Sequence, residues 1–354
     1  MDFLNLINSA EQNLFIIGEA GVNHNGDIDT AFRLVDAALE AGCDAIKFQT
    51  WITEKVYSRN KSIKPEYQQR TTNAAESEYE TIKALELSYE DFGRIKSYCE
   101  QRGILFFSTP DEADSADFLA RLGMGLMKTA SQDVTNTPFL RHVAQLGMPV
   151  IFSTGACTLT ELAEGVETIL AETNELIILH CVSSYPAPME QMNLMLIPSL
   201  RGMFGCPVGL SDHTAGTEVA CAAVALGARV FEKHLTLDKS MAGPDHQASL
   251  DPDEMRHYCQ TLRDVRVALG DGVKRVMPCE ENTRRAFRRF LVAARDLPAG
   301  TVIGAQDVCF KKVVDGIAPR HLELVIGSRL TEDVAEDTPL TLAMLRLPRT
   351  GAPG

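Results

Sequence analysis

The sequence predicts an α/β protein built as a (β/α)8 TIM barrel followed by a small β-rich domain. Three observations carry this expectation. Eight short apolar runs alternate with segments of helical periodicity. Every one of those runs turns polar at its C-terminal end. Beyond about residue 270 the alternation gives way to short strand-like runs separated by a PAG turn. At 354 residues the chain holds a barrel of about 250 residues and a further small domain. An open doubly wound sheet is the rival architecture, but it wants a GxGxxG turn after the first strand, and EAGVNHNG does not supply one.

The runs are, in order, LFIIGEAG (14–21), DAIKFQT (44–50), ILFFSTP (104–110), LMKTAS (126–131), PVIFSTG (149–155), LIILHCV (176–182), PVGLSDHT (207–214) and RVFEKHLT (229–236). In the first intervening segment Ala31, Leu34, Val35 and Ala38 share one helical face, with Asp29 before the helix and Gly42 after it. The connection over 56–88 is unusually long and mostly polar, which suits either a lid or an exposed insertion. A last helix over about 252–269 completes the barrel. The expected organisation is therefore a barrel over 1–270, a linker over 271–285, a β-rich domain over 286–347 and a disordered tail over 348–354. Within the second domain ARDLPAGTVIGAQDV (294–308) recurs at an offset of 37 as TEDVAEDTPLTLAML (331–345), so a pseudo-symmetric module is expected.

Composition narrows the function. Lys+Arg 34 against Asp+Glu 48 leaves a net charge of −14, and no polybasic run marks a nucleic-acid or membrane partner. An anionic substrate needs locally placed lysines against that overall field. The nine cysteines are scattered and form no CxxC pair, which speaks against a disulfide framework or a zinc knuckle. With no basic leader and no apolar run of about 18 residues, a soluble cytoplasmic protein is expected.

The polar run ends are Glu19, Lys47 with Gln49, Ser108 with Thr109, Lys128 with Ser131, Ser153 with Thr154, His180, Ser211 with His213, and Lys233 with His234. In a βα barrel that end of the strands surrounds the active site. A single Ser or Thr there reads as a helix cap, whereas eight strands in concert read as a site. His213 and His234 fall near the ends of adjacent strands, about 5 Å apart, and two such imidazoles suit one divalent cation. Lys47, Lys128 or Lys233 suits a Schiff base with a carbonyl substrate. The alternative is a fixed cradle for phosphate and carboxylate, assisted by Thr109, Ser131, Ser153 and Ser211. A carbohydrate- or ice-binding protein with an inactive barrel is the reading outside enzymology.

EAGVNHNG, DAIKFQT, ESEYETIKALELS, KTASQD, HCVSSYPAP, GLSDHT and EKHLT, in this order and spacing, closely resemble the sialic acid synthase family, and the final module is similar to its antifreeze-like (SAF) domain. The resemblance implies condensation of phosphoenolpyruvate with an open-chain hexose, N-acetylmannosamine-like, to give a nine-carbon 2-keto acid and phosphate. It further implies Mn²⁺ or Mg²⁺ on His213 and His234, and phosphoenolpyruvate on Lys47, Thr109, Lys128, Ser131, Ser153, Ser183 and Ser211. The sugar falls to Gln49, Tyr185, Asp245 and Glu19, with Asp133 handling a proton or water; Glu19, Asp133, His213 and His234 form the implied catalytic set. A domain-swapped homodimer is implied as well, with Lys312 standing where many members reach the partner's site through an arginine. Asp212, by strand alternation, points to the opposite face from Ser211 and His213.

Overall fold

The computed structural model describes residues 14–59, 64–72 and 77–347, so the tail expected over 348–354 lies outside the described residues. It divides into two compact units, 1–270 and 271–354.

In the first unit the eight predicted runs form eight strands: β1 (Phe15–Gly21), β2 (Ala45–Thr50), β3 (Leu105–Pro110), β4 (Met127–Thr129), β5 (Val150–Ser153), β6 (Leu176–Cys181), β7 (Val208–Asp212) and β8 (Val230–His234). They run parallel in the order β3-β2-β1-β8-β7-β6-β5-β4, with β3 and β4 side by side at the seam of a near-closed barrel. Helices separate consecutive strands. The first, Ile28–Ala41, is capped by the Asp27 carboxylate, which accepts from the backbone N–H groups of Asp29 and Thr30, and it ends on Gly42 in the left-handed region at φ 86°. Asp29 is thus in the first turn and Asp27 is the cap. The last, Pro252–Leu269, begins at a capping box of Asp251 and Glu254 with proline at its first position.

The apolar core lies between strands and helices, where Ile16, Ile46, Ile151 and Ile178 meet Leu34, Phe92, Leu140 and Val166. Burying each such side chain is worth about 1.5–3 kcal/mol. On β2 the outward residues Ile46 and Phe48 join this core while Lys47 and Gln49 alternate with them. The long connection over 56–88 carries local structure, namely the helices Glu66–Thr71 and Glu78–Leu85, the latter opened by a capping box of Ser77 and Glu80.

The second unit has its own core of Leu291, Ala293, Leu297, Ile303, Val334 and Leu340. Strands β9 (Arg289–Ala293) and β10 (Val308–Lys312) pair antiparallel, as do β11 (Arg329–Leu330) and β12 (Leu345–Arg346). The internal repeat is visible as a pseudo-dyad. Leu297 and Val334, 37 positions apart, exchange both backbone hydrogen bonds at 2.8 Å. Asp333 accepts from the Ala299 N–H at 2.6 Å while Asp296 accepts from the Glu336 N–H at 2.8 Å, each aspartate capping the other repeat. The segment expected as a linker carries the helix Glu281–Phe287.

Candidate active site

Strand alternation sends every second side chain into the barrel, and at the C-terminal end of the strands these line a cavity of about 790 Å³. Glu19 comes from β1, Lys47 and Gln49 from β2, Thr109 from β3, Lys128 from β4, Ser153 from β5, Ser211 from β7, and Glu232 with His234 from β8. The loops after β4, β6, β7 and β8 add Ser131, Ser183 with Tyr185, His213 and Asp245.

The charges are buried and ordered. Lys47 Nζ donates to Thr109 Oγ1 at 2.8 Å and pairs with Glu19 Oε2 at 2.8 Å. Glu232 Oε2 stands 3.8 Å from both Lys47 and Lys128, and Ser211 donates to its Oε1 at 2.8 Å. Burial would raise Glu232, but the Lys128 and Lys47 charges hold it down at about 2. Glu19 goes the other way: burial pushes it up to about 7 against the pull of Lys47. Gln49 donates to Glu19 Oε1 at 3.1 Å and fixes its orientation.

Opposite the lysines lies the imidazole pair. The rings of His213 and His234 are 5.4 Å apart, with Tyr185 against both. His213 Nδ1 donates to the Val182 carbonyl at 3.0 Å, and although burial works against its charged form, the neighbouring Cys181 and that carbonyl raise His213 above its ordinary value. Burial, and the nearby His213, lower His234 well below its ordinary value and keep it neutral. Its Nδ1 makes no hydrogen bond among the described residues, nor does Asp245 Oδ1, and Asp245 Oδ2 stands 3.9 Å from that Nδ1. Among the described residues no three metal-ligating side chains converge into a closed cage. Two imidazoles beside a carboxylate do suit an open site once His213 gives up its proton, in which substrate or water completes the shell.

Between lysines and imidazoles lies a hydroxyl floor. Ser131 Oγ accepts from the Gly155 N–H at 3.0 Å, and the buried Ser153 hydroxyl has no partner among the described residues. A Cβ at residue 155 would lie 2.0 Å from Ser183 Oγ and 2.9 Å from Ser131 Oγ, so only glycine leaves this floor open.

Several sequence-based expectations are corrected. Lys233 does not face the cavity. It points outward to Asp212 Oδ2 at 3.0 Å, with Tyr258 of the last barrel helix under its ammonium, so it offers no amine to a substrate. Asp212 shares that outer face, as alternation predicts. His180 is bonded through Nε2 to the Met192 carbonyl at 2.6 Å and does not line the cavity. Asp133 sits in the short 3₁₀ turn Ser131–Asp133, which swings its side chain off the main cavity and onto a neighbouring recess. Lys312 is not among the corrections: it belongs to the second unit, where the sequence puts it, with its ammonium 4.7 Å from the Phe287 ring centre. Sequence reasoning missed Glu232, Gly155 and Asp111. Glu232 was accessible through its spacing of two from His234, the period that places both inside the barrel.

The cluster has a stability signature. Burial raises Glu19 to about 7 and Asp133 and Asp245 to about 6, all above their values in an unfolded chain. Across these three acids the folded protein holds more protons than the unfolded one between about pH 4 and pH 7, which loses stability as pH rises. His24, lowered by burial to about 4, and His234, held well below its ordinary value, act in the opposite sense below about pH 6.5, so the loss stands alone above that pH. The melting temperature of the ligand-free protein is expected to fall, by roughly 2–4 °C for each kcal/mol lost, from about pH 6.5 to about pH 8 in scanning calorimetry, as Glu19 ionises. A rise over that range contradicts the assignment.

These features define a (β/α)8-barrel enzyme with a lysine- and hydroxyl-lined pocket beside two histidines. The NeuB family model matches residues 34–274 and the SAF domain model residues 288–346. The chain belongs to the NeuB family of sialic-acid-type synthases. It is 42% identical over 332 residues to the N,N'-diacetyllegionaminic acid synthase of Legionella pneumophila, covering 92% of this chain and 93% of that protein. The N-acetylneuraminate-9-phosphate synthase of Homo sapiens is 32% identical over 326 residues, 91% of this chain and 90% of its own. The crystal structure of the N-acetylneuraminic acid synthetase of Leptospira borgpetersenii serovar Hardjo-bovis, in complex with citrate, aligns with a TM-score of 0.69 at 33% identity, over 77% of this chain and 90% of that one. No helix among the described residues is long and apolar enough to cross a membrane.

Proposed function

We propose that the protein condenses phosphoenolpyruvate with the open-chain aldehyde of a 2-acylamino hexose and water, giving a nine-carbon 2-keto acid and phosphate. The observation that best supports this reading is the joint burial, in one cavity, of two lysines, a floor of hydroxyls and two imidazoles. A polyanion loses much hydration on entering such a space, and Lys47, Lys128 and the Ser131, Ser153 and Ser183 hydroxyls offset that loss. Thr109 and Ser211 hold Lys47 and Glu232 in register for it.

The enol carbon C3 attacks the aldehyde carbon, and water adds to the cationic C2 that results. Phosphate then departs with the bridging oxygen as the C2–O bond breaks. Glu19, poised at about 7, exchanges the proton that the aldehyde oxygen needs. His213 and His234 would hold Mn²⁺ or Mg²⁺, with Asp245 and Tyr185 on the sugar side. When bound, the cation supplies Lewis-acid polarisation of the aldehyde. Gln49 orients Glu19 and lies on the sugar side with it.

Chelation tests the reading. EDTA is expected to abolish sugar-dependent phosphate release and Mn²⁺ to restore it, whereas full activity of metal-free protein contradicts it. Gly155→Ala is expected to raise KM for phosphoenolpyruvate by about tenfold or more, because the new methyl displaces the Ser183 and Ser131 hydroxyls. An unchanged KM removes Gly155 from the site.

The reading extends to a cytoplasmic homodimer, in which the SAF module of one chain covers the barrel mouth of the other and presents Lys312. Free thiols at all nine cysteines suit that reducing compartment. Sedimentation of the intact protein as a monomer contradicts the dimer.

A further inference from the structure

His213 lies one residue beyond β7, whose last pairings are Ser211 with Cys181 of β6 and Asp212 with Lys233 of β8. Among the described residues no strand ladder reaches its peptide, whose carbonyl accepts from the Ala187 N–H of a loop at 2.9 Å. His234, in contrast, is the last residue of β8 and pairs with Glu19 of β1. A buried polar cluster closes the outer face at this point. Lys233 Nζ donates to Asp212 Oδ2 at 3.0 Å and to the Thr214 carbonyl. Asp212 Oδ1 accepts from the Thr214 N–H at 2.9 Å and from the Thr214 hydroxyl at 2.7 Å. The residues on either side of His213 are thereby joined to each other and to β8. Lys233 and Asp212 are each 1% exposed, and Tyr258 covers them, its hydroxyl 3.4 Å from Asp212 Oδ2.

We infer that Lys233 and Asp212 are positioning residues: their buried pair ties the chain on both sides of His213 to β8 and so sets the spacing of the two imidazoles. The inference rests on the reading of His213 and His234 as the holders of one divalent cation. Apolar residues of similar size often replace a buried ion pair with no loss of stability, so stability alone does not account for one here. Its place does. Each member is the chain neighbour of one imidazole, Asp212 preceding His213 and Lys233 preceding His234. Alternation turns the pair outward and the imidazoles into the cavity, so the tie acts through the backbone without entering the site. Two ligands from different strands share an ion only while their spacing matches its shell, and outer groups that orient such ligands are worth about 10–100-fold in metal affinity. Lys47 and Lys128 take no part in the tie, being paired with Glu19 and Glu232 on the inner face.

The test titrates metal-free protein with Mn²⁺ and follows the free ion by electron paramagnetic resonance, with a thermal melt of each metal-free variant to check folding. Lys233→Met is expected to weaken Mn²⁺ binding by about tenfold or more, while KM for phosphoenolpyruvate at saturating Mn²⁺ stays within about twofold. Lys233→Met combined with Asp212→Asn removes the tie without leaving a buried charge unpaired, so it carries the test if the single variant does not fold, and the same loss is expected of it. Tyr258→Phe keeps the ion pair and is expected to keep the Mn²⁺ affinity. Unchanged affinity in a folded variant that lacks the tie, a KM that rises in step with the loss, or an equal loss in Tyr258→Phe overturns the inference. If the unmodified protein binds no Mn²⁺, the reading of the imidazoles as a cation site fails, and nuclear magnetic resonance of histidine-labelled, metal-free protein decides the positioning role. There the His213 Nδ1–H signal, held on the Val182 carbonyl, is expected to broaden or move in the variants that lack the tie, and an unmoved signal overturns the inference.

Discussion

Lys128→Met is expected to lower kcat/KM for phosphoenolpyruvate by about 10²–10³-fold or more, the scale of losing one preorganised donor to developing charge in a water-poor site. Lys128 is 2% exposed and is one of the two ammonium groups that flank Glu232. Its removal takes away a charge for the substrate and leaves Glu232 facing Lys47 alone. The burden is then felt in two readouts. KM for phosphoenolpyruvate rises, and stability falls by about 3–5 kcal/mol, because a buried carboxylate has lost a partner. Lys128→Arg is not expected to rescue, since a planar guanidinium does not fit a place built for a compact ammonium that also donates to the Thr129 carbonyl at 3.0 Å. A methionine variant with unchanged KM places the anion elsewhere.

The second large effect concerns the imidazoles. His213→Ala and His234→Ala are each expected to lose bound manganese by elemental analysis and to lower kcat about 10²-fold or more. The double variant is expected to be little worse than either single one, because groups that act as a unit are not additive. Two independent losses that multiply contradict a shared cation. Cys181, 3.7 Å from His213 Nδ1, and the Val182 carbonyl hold the His213 ring in place, so the His234 variant should leave His213 oriented while still losing the metal.

Much of this site was legible in the sequence because strands convert position into direction. Once EKH and SDH are read with period two, Ser211, His213 and His234 fall inside the barrel and Asp212 and Lys233 outside it. Residue type alone misleads on β8: Lys233 suits an amine nucleophile by type but faces outward to Asp212, and its neighbour Glu232 is the residue on the inner face. His180 ended a strand but found a backbone carbonyl in the following loop, a contact that no periodicity reports. Asp133 lies one turn beyond β4, where a 3₁₀ turn and not the strand sets its direction. Gly155 left no signal at all, because its role is the space it leaves free among three side chains distant in sequence. In the second unit the offset of 37 carried real information, since the aspartates it relates, Asp296 and Asp333, cap each other's repeats.

The most direct measurement follows the bridging oxygen of phosphoenolpyruvate. With that atom labelled as ¹⁸O, and with hexose and Mn²⁺ present, the label is expected to appear in the released phosphate, because water attacks C2 and the C–O bond breaks. Unlabelled phosphate, or phosphate released at the same rate without any sugar, contradicts condensation at this site.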